Sequence, residues 1–299
     1  MPTVAAFSGD GRKHAGRLHD PMNPTISRLK ILDIVPFGSG PKHEFFALRL
    51  TPPKWESCAP GQFVMLRPLP ARSEAVCPRP FSICKLTGGH LIVFFQVCGR
   101  VTAEMAALQA GDTVQVTGPL GNSLPVRADR PTLILAGGIG IAPFVEYVDK
   151  HPRPATLTVE FAHRHPLACY PFEGIAEKCA ARSHMETVEQ DRDAIVALME
   201  QRIREFAPAG LVLACGPTPF LRLVGNTAAA CGAEAHLCLE TRMACGIGAC
   251  QGCVVKALLP AADDAPPVLR SGPAAPPDDG AFVRTCACGP TFRADQVIF

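Results

Sequence analysis

Residues 131–143 read PTLILAGGIGIAP, and FVEYVDK follows at 144–150. The run from Leu133 to Ala136 is apolar on both faces, the pattern of a strand buried between helices in a parallel sheet. Gly137, Gly138 and Gly140 then turn the chain, and Pro143 sits where a helix opens. A strand passing through a glycine turn into a helix presents backbone N–H groups to phosphate, the context in which dinucleotides bind. The spacing is not Gly-x-Gly-x-x-Gly, so the signal rests on context and not on that fingerprint.

Further along, ATLTVEFAHR (155–164) reads as a strand and DAIVALMEQRIREF (193–206) as an amphipathic helix. In GLVLACGPTPFL (210–221) the strand–turn–helix pattern returns, with Cys215, Gly216 and Pro217 at the turn. Either turn alone is also what any α/β sheet contains; the two in this order point to a nucleotide lying across the carboxyl ends of the strands. This alternation predicts a parallel α/β domain over 129–239. Upstream, ISRLKILDIV, HEFFALRL, GQFVMLRPL, HLIVFFQVC and TVQVTGP are short strands between turns, which predicts an antiparallel β-barrel over 25–128. Residues 1–24 are polar and aperiodic, a flexible leader. Residues 240–299 form a small Cys-rich third domain, interrupted by a Pro/Ala/Asp loop at 260–280. The expected fold class is therefore multi-domain: barrel, parallel-sheet domain, cluster domain.

A net charge of +2 without a Lys/Arg stripe argues against nucleic acid as a partner. No apolar run is long enough to span a bilayer, and the N-terminal stretch, with Asp10, Arg12, Lys13 and His14, has no apolar core of a signal peptide. These features predict a cytoplasmic protein without a membrane partner. Fourteen cysteines in such a chain are better explained by metal ligation than by disulfides. Scattered ones (Cys58, Cys84, Cys169, Cys179, Cys231) read as small core fillers.

Cys245-x4-Cys250-x2-Cys253, with Cys286 much later, is the spacing in which four thiolates hold a 2Fe–2S cluster. Gly246, Gly248 and Gly252 are expected to supply backbone freedom where a Cβ would clash. Zinc is the alternative, but zinc sites usually pair two Cys-x2-Cys hooks and only one is present. Cys288 competes with Cys286 for the fourth position.

In the barrel, Arg79-Pro80-Phe81-Ser82-Ile83 can pair a pyrophosphate with Arg79, offer the Phe81 ring to an isoalloxazine and hydrogen-bond a flavin through Ser82. Its plain alternative is a surface Arg with Phe and Ile in the core. Phe94, Phe95 and Gln96 end the next strand. Gly99-Arg100-Val101-Thr102 leads into a helix over TAEMAAL that Thr102 is expected to cap, and Gly118-Pro119-Leu120-Gly121-Asn122 makes a turn that lets another chain or ring approach. His163 and His165 read as surface residues or nucleotide contacts, since no carboxylate pair or Ser/His constellation accompanies them. Arg164 can meet a 2′-phosphate, yet an Arg at a strand end is common, and the sequence leaves NAD and NADP both open.

The ordered set RPFSI, GRVT, GPLGNSL, GGIGIAP, CGP and CGIGACQGC resembles the ferredoxin–NADP reductase superfamily with an added cluster domain, and most closely the electron-transfer subunits of NAD-dependent dihydroorotate dehydrogenases. The likeness spans about residues 26–299. It implies FAD on Arg79, Pro80, Phe81 and Ser82, on Phe94, Phe95 and Gln96, and on Val101 and Thr102, beside the adjoining Gly99. It implies that the last cluster ligand is the Cys three residues before Gly289-Pro290, which is Cys286. It implies an FMN-containing catalytic partner in a heterotetramer, which oxidises dihydroorotate to orotate in pyrimidine biosynthesis and sends electrons through the cluster and FAD to NAD+. Departures are the long Cys253–Cys286 interval, the leader, a missing second glycine in GRVT, and Cys288 where an acidic residue is expected. The flavin subunit of another soluble NAD(P)H-linked complex (a ferredoxin–NADP transhydrogenase, sulfide dehydrogenase or hydrogenase) is the alternative enzyme reading, and a redox-sensing binding module the alternative outside catalysis.

Overall fold

A computed structural model describes residues 24–39, 43–55, 57–70, 77–258 and 280–299. All but the last residue of the expected leader and of the Pro-rich loop lie outside them. Six antiparallel strands close a barrel in the order β1-β2-β5-β4-β3-β6: β1 (Thr25–Phe37), β2 (Phe45–Leu50), β3 (Phe63–Leu69), β4 (Arg79–Leu86), β5 (Leu91–Gln96) and β6 (Thr113–Leu120). Alternation drives closure: Leu48, Leu50, Val64, Leu66, Val93, Val114 and Val116 all point into one buried core. A short helix, α1 (Arg100–Ala106), plugs one end through Val101 and Met105.

A six-stranded sheet follows, ordered β14-β11-β10-β7-β8-β9. Its parallel strands are β7 (Thr132–Gly137), β8 (Leu157–His163), β9 (Ala180–Met185), β10 (Leu211–Cys215) and β11 (Glu234–Cys238), while β14 (Thr291–Arg293) pairs antiparallel with β11. Helices α2 (Ala142–Lys150), α3 (Glu173–Ala176), α4 (Glu189–Phe206) and α5 (Thr218–Cys231) complete the α/β unit. The chain winds outward from β7 to β9, then returns to β10 on the other side of β7. A topological switch therefore lies between the turns after β7 and β10, where ligands of such sheets bind.

A three-stranded antiparallel sheet, ordered β13-β12-β15, carries the C-terminal unit: β12 (Val254–Ala257), β13 (Ala281–Arg284) and β15 (Val297–Ile298), with a single helical turn α6 (Thr285–Cys288). Because β14 lies between α6 and β15 in the chain, the segment holding Cys286 is tied to the edge of the six-stranded sheet.

Barrel and α/β unit share apolar packing: Phe45, Cys84 and Phe94 join Ile134, Phe144, Tyr147 and Phe161 in one core. Glu146, buried on α2, accepts the Leu86 backbone N–H at 3.2 Å and pairs with Lys150 at 2.6 Å. The end of β4 and the middle of α2 are thus parts of one packed body. Among the described residues no helix is long and apolar enough to cross a membrane.

Candidate functional site

The thiol loop is seated on the barrel. Gly246 and Gly248 have φ of 74° and 80°, left-handed values that favour glycine, and a Cβ on Gly246 would stand 2.3 Å from Met65 Cγ. Buried Cys253 and Cys286 pack with Phe63 and Met65 of β3 and Leu120 of β6. Backbone N–H groups turn inward: Cys250 donates to Cys245 Sγ (3.4 Å) and Gly248 to Cys286 Sγ (3.1 Å). The Cys253 and Cys286 sulfurs are 3.2 Å apart. Burial opposes ionisation of Cys245, but the N–H groups of Cys250, Ile247 and Ala249 and the Cys250 thiol outweigh it and bring the thiol down to about 7. Cys286 is pushed up to about 12 by burial and by Cys253 beside it.

Among the described residues no group of three or more His, Cys, Asp or Glu side chains gathers as a ready site for a single metal ion. The thiols stand as two pairs instead, Cys245 with Cys250 and Cys253 with Cys286. Two bridged irons with two thiolates each fit that arrangement; one zinc ion needs its four ligands around one point. Cys286 joins Cys253, while Cys288 packs against the apolar core of the α/β unit. The glycine expectation holds in full at Gly246, holds at Gly248 for backbone handedness alone, since a Cβ there would make an ordinary 3.5 Å contact, and fails at Gly252. There φ is not left-handed and a Cβ would make only an ordinary 3.6 Å contact; the left-handed residue is Gln251, at φ 56°.

The flavin candidates lie on the neighbouring strand. Phe63 pairs with Ser82 and Met65 with Pro80, so Ser82 and Pro80 share the face on which the thiol loop sits. Phe81 faces the other way, packing on the barrel core with its ring T-shaped to Phe95 at 6.0 Å. Phe94, Phe95 and Ile83 are buried, whereas Phe81 is half-buried. Ser82 is half-buried with no hydrogen-bond partner for its hydroxyl among the described residues, and Arg79 uses one nitrogen on Cys77 O (2.8 Å) and Pro78 O (3.3 Å). Gln96 ends β5 half-buried and Gly99 is exposed.

Thr102 is not the helix cap. α1 begins at Arg100 after an extended Gly99, and the Thr102 hydroxyl reaches back to accept the N–H groups of Cys98 (2.9 Å) and Gly99 (3.0 Å). Val101 is committed to the barrel core.

The two glycine turns press on each other. A Cβ on Gly140 would lie 2.4 Å from Cys215 O, and one on Gly137 would lie 3.1 Å from Pro217 Cδ. Gly138, at φ 55°, has open space beside it, and Gly216 packs on Gly137 and Phe220. Pro143 is buried in the first turn of α2. Cys215 lies opposite Cys238 in register, and the hydrogen bond that its own thiol donates to Cys238 Sγ, with burial, raises it.

His163 is buried, not at the surface. Its ring stacks on Phe161 at 4.9 Å, Nδ1 donates to His165 O at 2.7 Å, and burial lowers its pKa. His165 meets the Phe45 ring edge-on. Arg164 is bound by Glu186, Nε to Oε2 at 3.1 Å and Nη2 to Oε1 at 2.9 Å, so its fork is not free for a phosphate. Of the scattered cysteines, Cys58 and Cys84 are fully buried, whereas Cys169, Cys179 and Cys231 are half-buried.

Met65, on which the thiol loop rests, had no sequence signal of its own; the 118–122 turn was expected to let another chain approach, and there Asn122 bonds to the 288–291 segment. Each contact joins residues far apart in the chain.

A family profile described as the iron–sulfur cluster binding domain of dihydroorotate dehydrogenase B matches residues 240–260. The chain is 30% identical over 249 residues to the dihydroorotate dehydrogenase B (NAD(+)) electron transfer subunit of Geobacillus kaustophilus, covering 80% of this chain and 86% of that one. It is 31% identical over 246 residues to the subunit of the same description from Listeria monocytogenes, covering 80% and 87%. Among solved structures, a chain of the NADH-dependent reduced ferredoxin–NADP oxidoreductase superposes with a TM-score of 0.70 at 21% identity, over 90% of this chain and 89% of that one. A ferredoxin NADP+ reductase from Neisseria gonorrhoeae with bound FAD and NADP superposes with 0.56 at 18% identity, over 69% and 92%. At these identities the superpositions establish the fold alone.

Proposed function

Because the chain belongs to the family of dihydroorotate dehydrogenase B electron transfer subunits, we propose that it relays electrons between a dihydroorotate-oxidising, FMN-containing catalytic subunit and NAD+, within a heterotetramer that serves pyrimidine biosynthesis. When bound, FAD exchanges a hydride with the nicotinamide and single electrons with a 2Fe–2S cluster; that chemistry is the cofactors' own. The chain supplies placement. Cys245, Cys250, Cys253 and Cys286 hold the cluster, with inward N–H groups lowering the cost of their negative charge. Arg79, Pro80 and Ser82 hold the flavin with Gln96 and Gly99. The turns 137–143 and 215–217 take the nucleotide. We read the units as 25–128, 129–239 and 240–299.

The observation that carries this reading is adjacency: the thiol loop rests on β3, whose strand partner β4 presents Ser82 and Pro80 to the same side. Ile247, 57% exposed, and the exposed Cys250 bring the far side of the loop to the surface, where a partner can dock. Free thiols throughout suit the cytoplasm. The alternative, a flavin subunit of a ferredoxin–NADP transhydrogenase, has a fold likeness at 21% identity in its favour and no more.

The test is co-expression with an FMN-type dihydroorotate-oxidising subunit. The purified complex is expected to form orotate and NADH together from dihydroorotate and NAD+. A complex that oxidises dihydroorotate with artificial acceptors but never reduces NAD+ contradicts the relay.

A further inference from the structure

The barrel ends at β6, turns through Gly121, and places Asn122 against the strand that follows the fourth cysteine. The Asn122 side chain closes a two-bond ring with one residue: Nδ2 donates to Thr291 O at 2.7 Å and Oδ1 accepts the Thr291 N–H at 2.9 Å. Nδ2 also donates to Cys288 O at 3.3 Å, and the Asn122 backbone N–H donates to Gly289 O at 2.7 Å. The turn is held in place from the barrel side, since Gln62, 5% exposed, donates to Gly121 O at 2.9 Å while accepting the Ala59 N–H. Contact is close enough that a Cβ on Gly121 would lie 2.6 Å from Pro290 Cδ.

We propose that Asn122 is a positioning residue, the amide by which the flavin-bearing barrel fixes where the Cys286 segment stands. The proposal rests on the relay reading above. The 285–291 segment has further anchors that would keep it folded without Asn122, among them the Thr285 N–H to Cys253 O at 2.9 Å and the Leu239 N–H to Pro290 O at 2.8 Å. Those anchors tie it to the thiol loop and to the edge of the six-stranded sheet. Asn122 adds a hydrogen-bonded tie to the barrel, beside the packing of Cys286 on Phe63, Met65 and Leu120. The chemistry selects an amide of this length, because Thr291 requires an acceptor and a donor side by side. Aspartate keeps the size but sets a carboxylate oxygen against the carbonyls of Thr291 and Cys288, and alanine removes all three side-chain bonds.

Asn122→Ala and Asn122→Asp, made in the full chain, test this with hydrogen exchange of the 285–291 amides, the electron spin resonance line shape of the reduced cluster, and stopped-flow reduction by NADH. In Asn122→Ala the Thr291 amide is expected to exchange roughly tenfold faster, about one hydrogen bond's worth of protection. In both variants iron content and the rate of flavin reduction by NADH stay as in the wild type, while the line shape changes and electron arrival at the cluster slows on the order of tenfold, as a displaced donor–acceptor geometry requires. Wild-type exchange and line shape in both variants overturn the assignment, as does a loss of iron and of both reduction steps together, which marks a merely structural residue. A wild-type chain that holds no cluster, or whose flavin NADH does not bleach, overturns the relay reading instead, and the exchange measurement still reports on Asn122 in that case.

Discussion

The tripeptide Gly-Ile-Gly occurs at 138–140 and again at 246–248, and its two copies answer different physical demands. At 138–140 it turns a buried strand into a helix. Ile139 packs on the α/β core, and Gly140 is required because the backbone of the 215–217 turn passes 2.4 Å from where its Cβ would be. At 246–248 the chain wraps sulfur. Ile247 is 57% exposed, Gly246 takes a left-handed conformation over Met65, and the Gly248 N–H donates to Cys286 Sγ at 3.1 Å. The first copy needs glycine at 140 for backbone-to-backbone contact and at 138 for handedness; the second needs it for handedness at both positions and, at 246, for the close approach of Met65. What flanks the motif, a strand and helix or a cysteine on each side, decides which.

The largest effect that sharpens this contrast is within the first copy. Gly140→Ala forces two backbone turns apart and is expected to cost about 3 kcal/mol or more and to abolish flavin reduction by NADH. Gly138→Ala, where only the left-handed backbone objects, should cost about 1 kcal/mol. Equal denaturation midpoints for the two variants would break the comparison. Next come the isoleucines. Ile139→Ser removes half-buried apolar surface and is expected to cost about 1–2 kcal/mol, while Ile247→Ser stays within about 0.5 kcal/mol of the wild type. Urea unfolding of both variants decides it, and a costly Ile247→Ser would mean that loop packs more tightly than its exposure indicates. The smallest effect is at Gln251. Because this residue takes φ 56°, Gln251→Gly should leave iron content unchanged and gain up to about 1 kcal/mol; a loss of stability would assign its side chain a contact of its own.

Much of this was legible beforehand, for identifiable reasons. The barrel strands announced themselves as short apolar runs between turns, although β3 is buried on both faces. The parallel strands β7 and β10 showed as unbroken apolar runs because helices cover both their faces. The edge strand β9, Ala-Ala-Arg-Ser-His-Met, is largely exposed and carries no such pattern, so nothing in its residues marked it. The cysteine spacing pointed to the cluster type, and the glycine turns to the strand ends at which we propose the nucleotide lies. Handedness was harder to read: the left-handed position fell on Gln251 where Gly252 looked the better candidate. At α1 the helix began two residues before the expected start because Val101 had a core to fill, which turned Thr102 from a cap into a residue reaching back. His163 looked like a surface residue because polarity hid the stacking of its ring on Phe161. The 118–122 turn was expected to admit another chain, but the partner that Asn122 meets there, Thr291, 169 residues away, had no local signature.

The central claim is that Cys245, Cys250, Cys253 and Cys286 hold a pair of bridged irons beside a barrel that carries FAD. It is tested most directly by assaying iron and acid-labile sulfide in anaerobically purified wild type and Cys250→Ala, alongside the visible spectrum before and after NADH. The account predicts iron and sulfide in equal amounts in the wild type, both lost in Cys250→Ala, with flavin bands that NADH bleaches in each. Stoichiometric zinc at those thiols, or iron and sulfide that survive in Cys250→Ala, would contradict it.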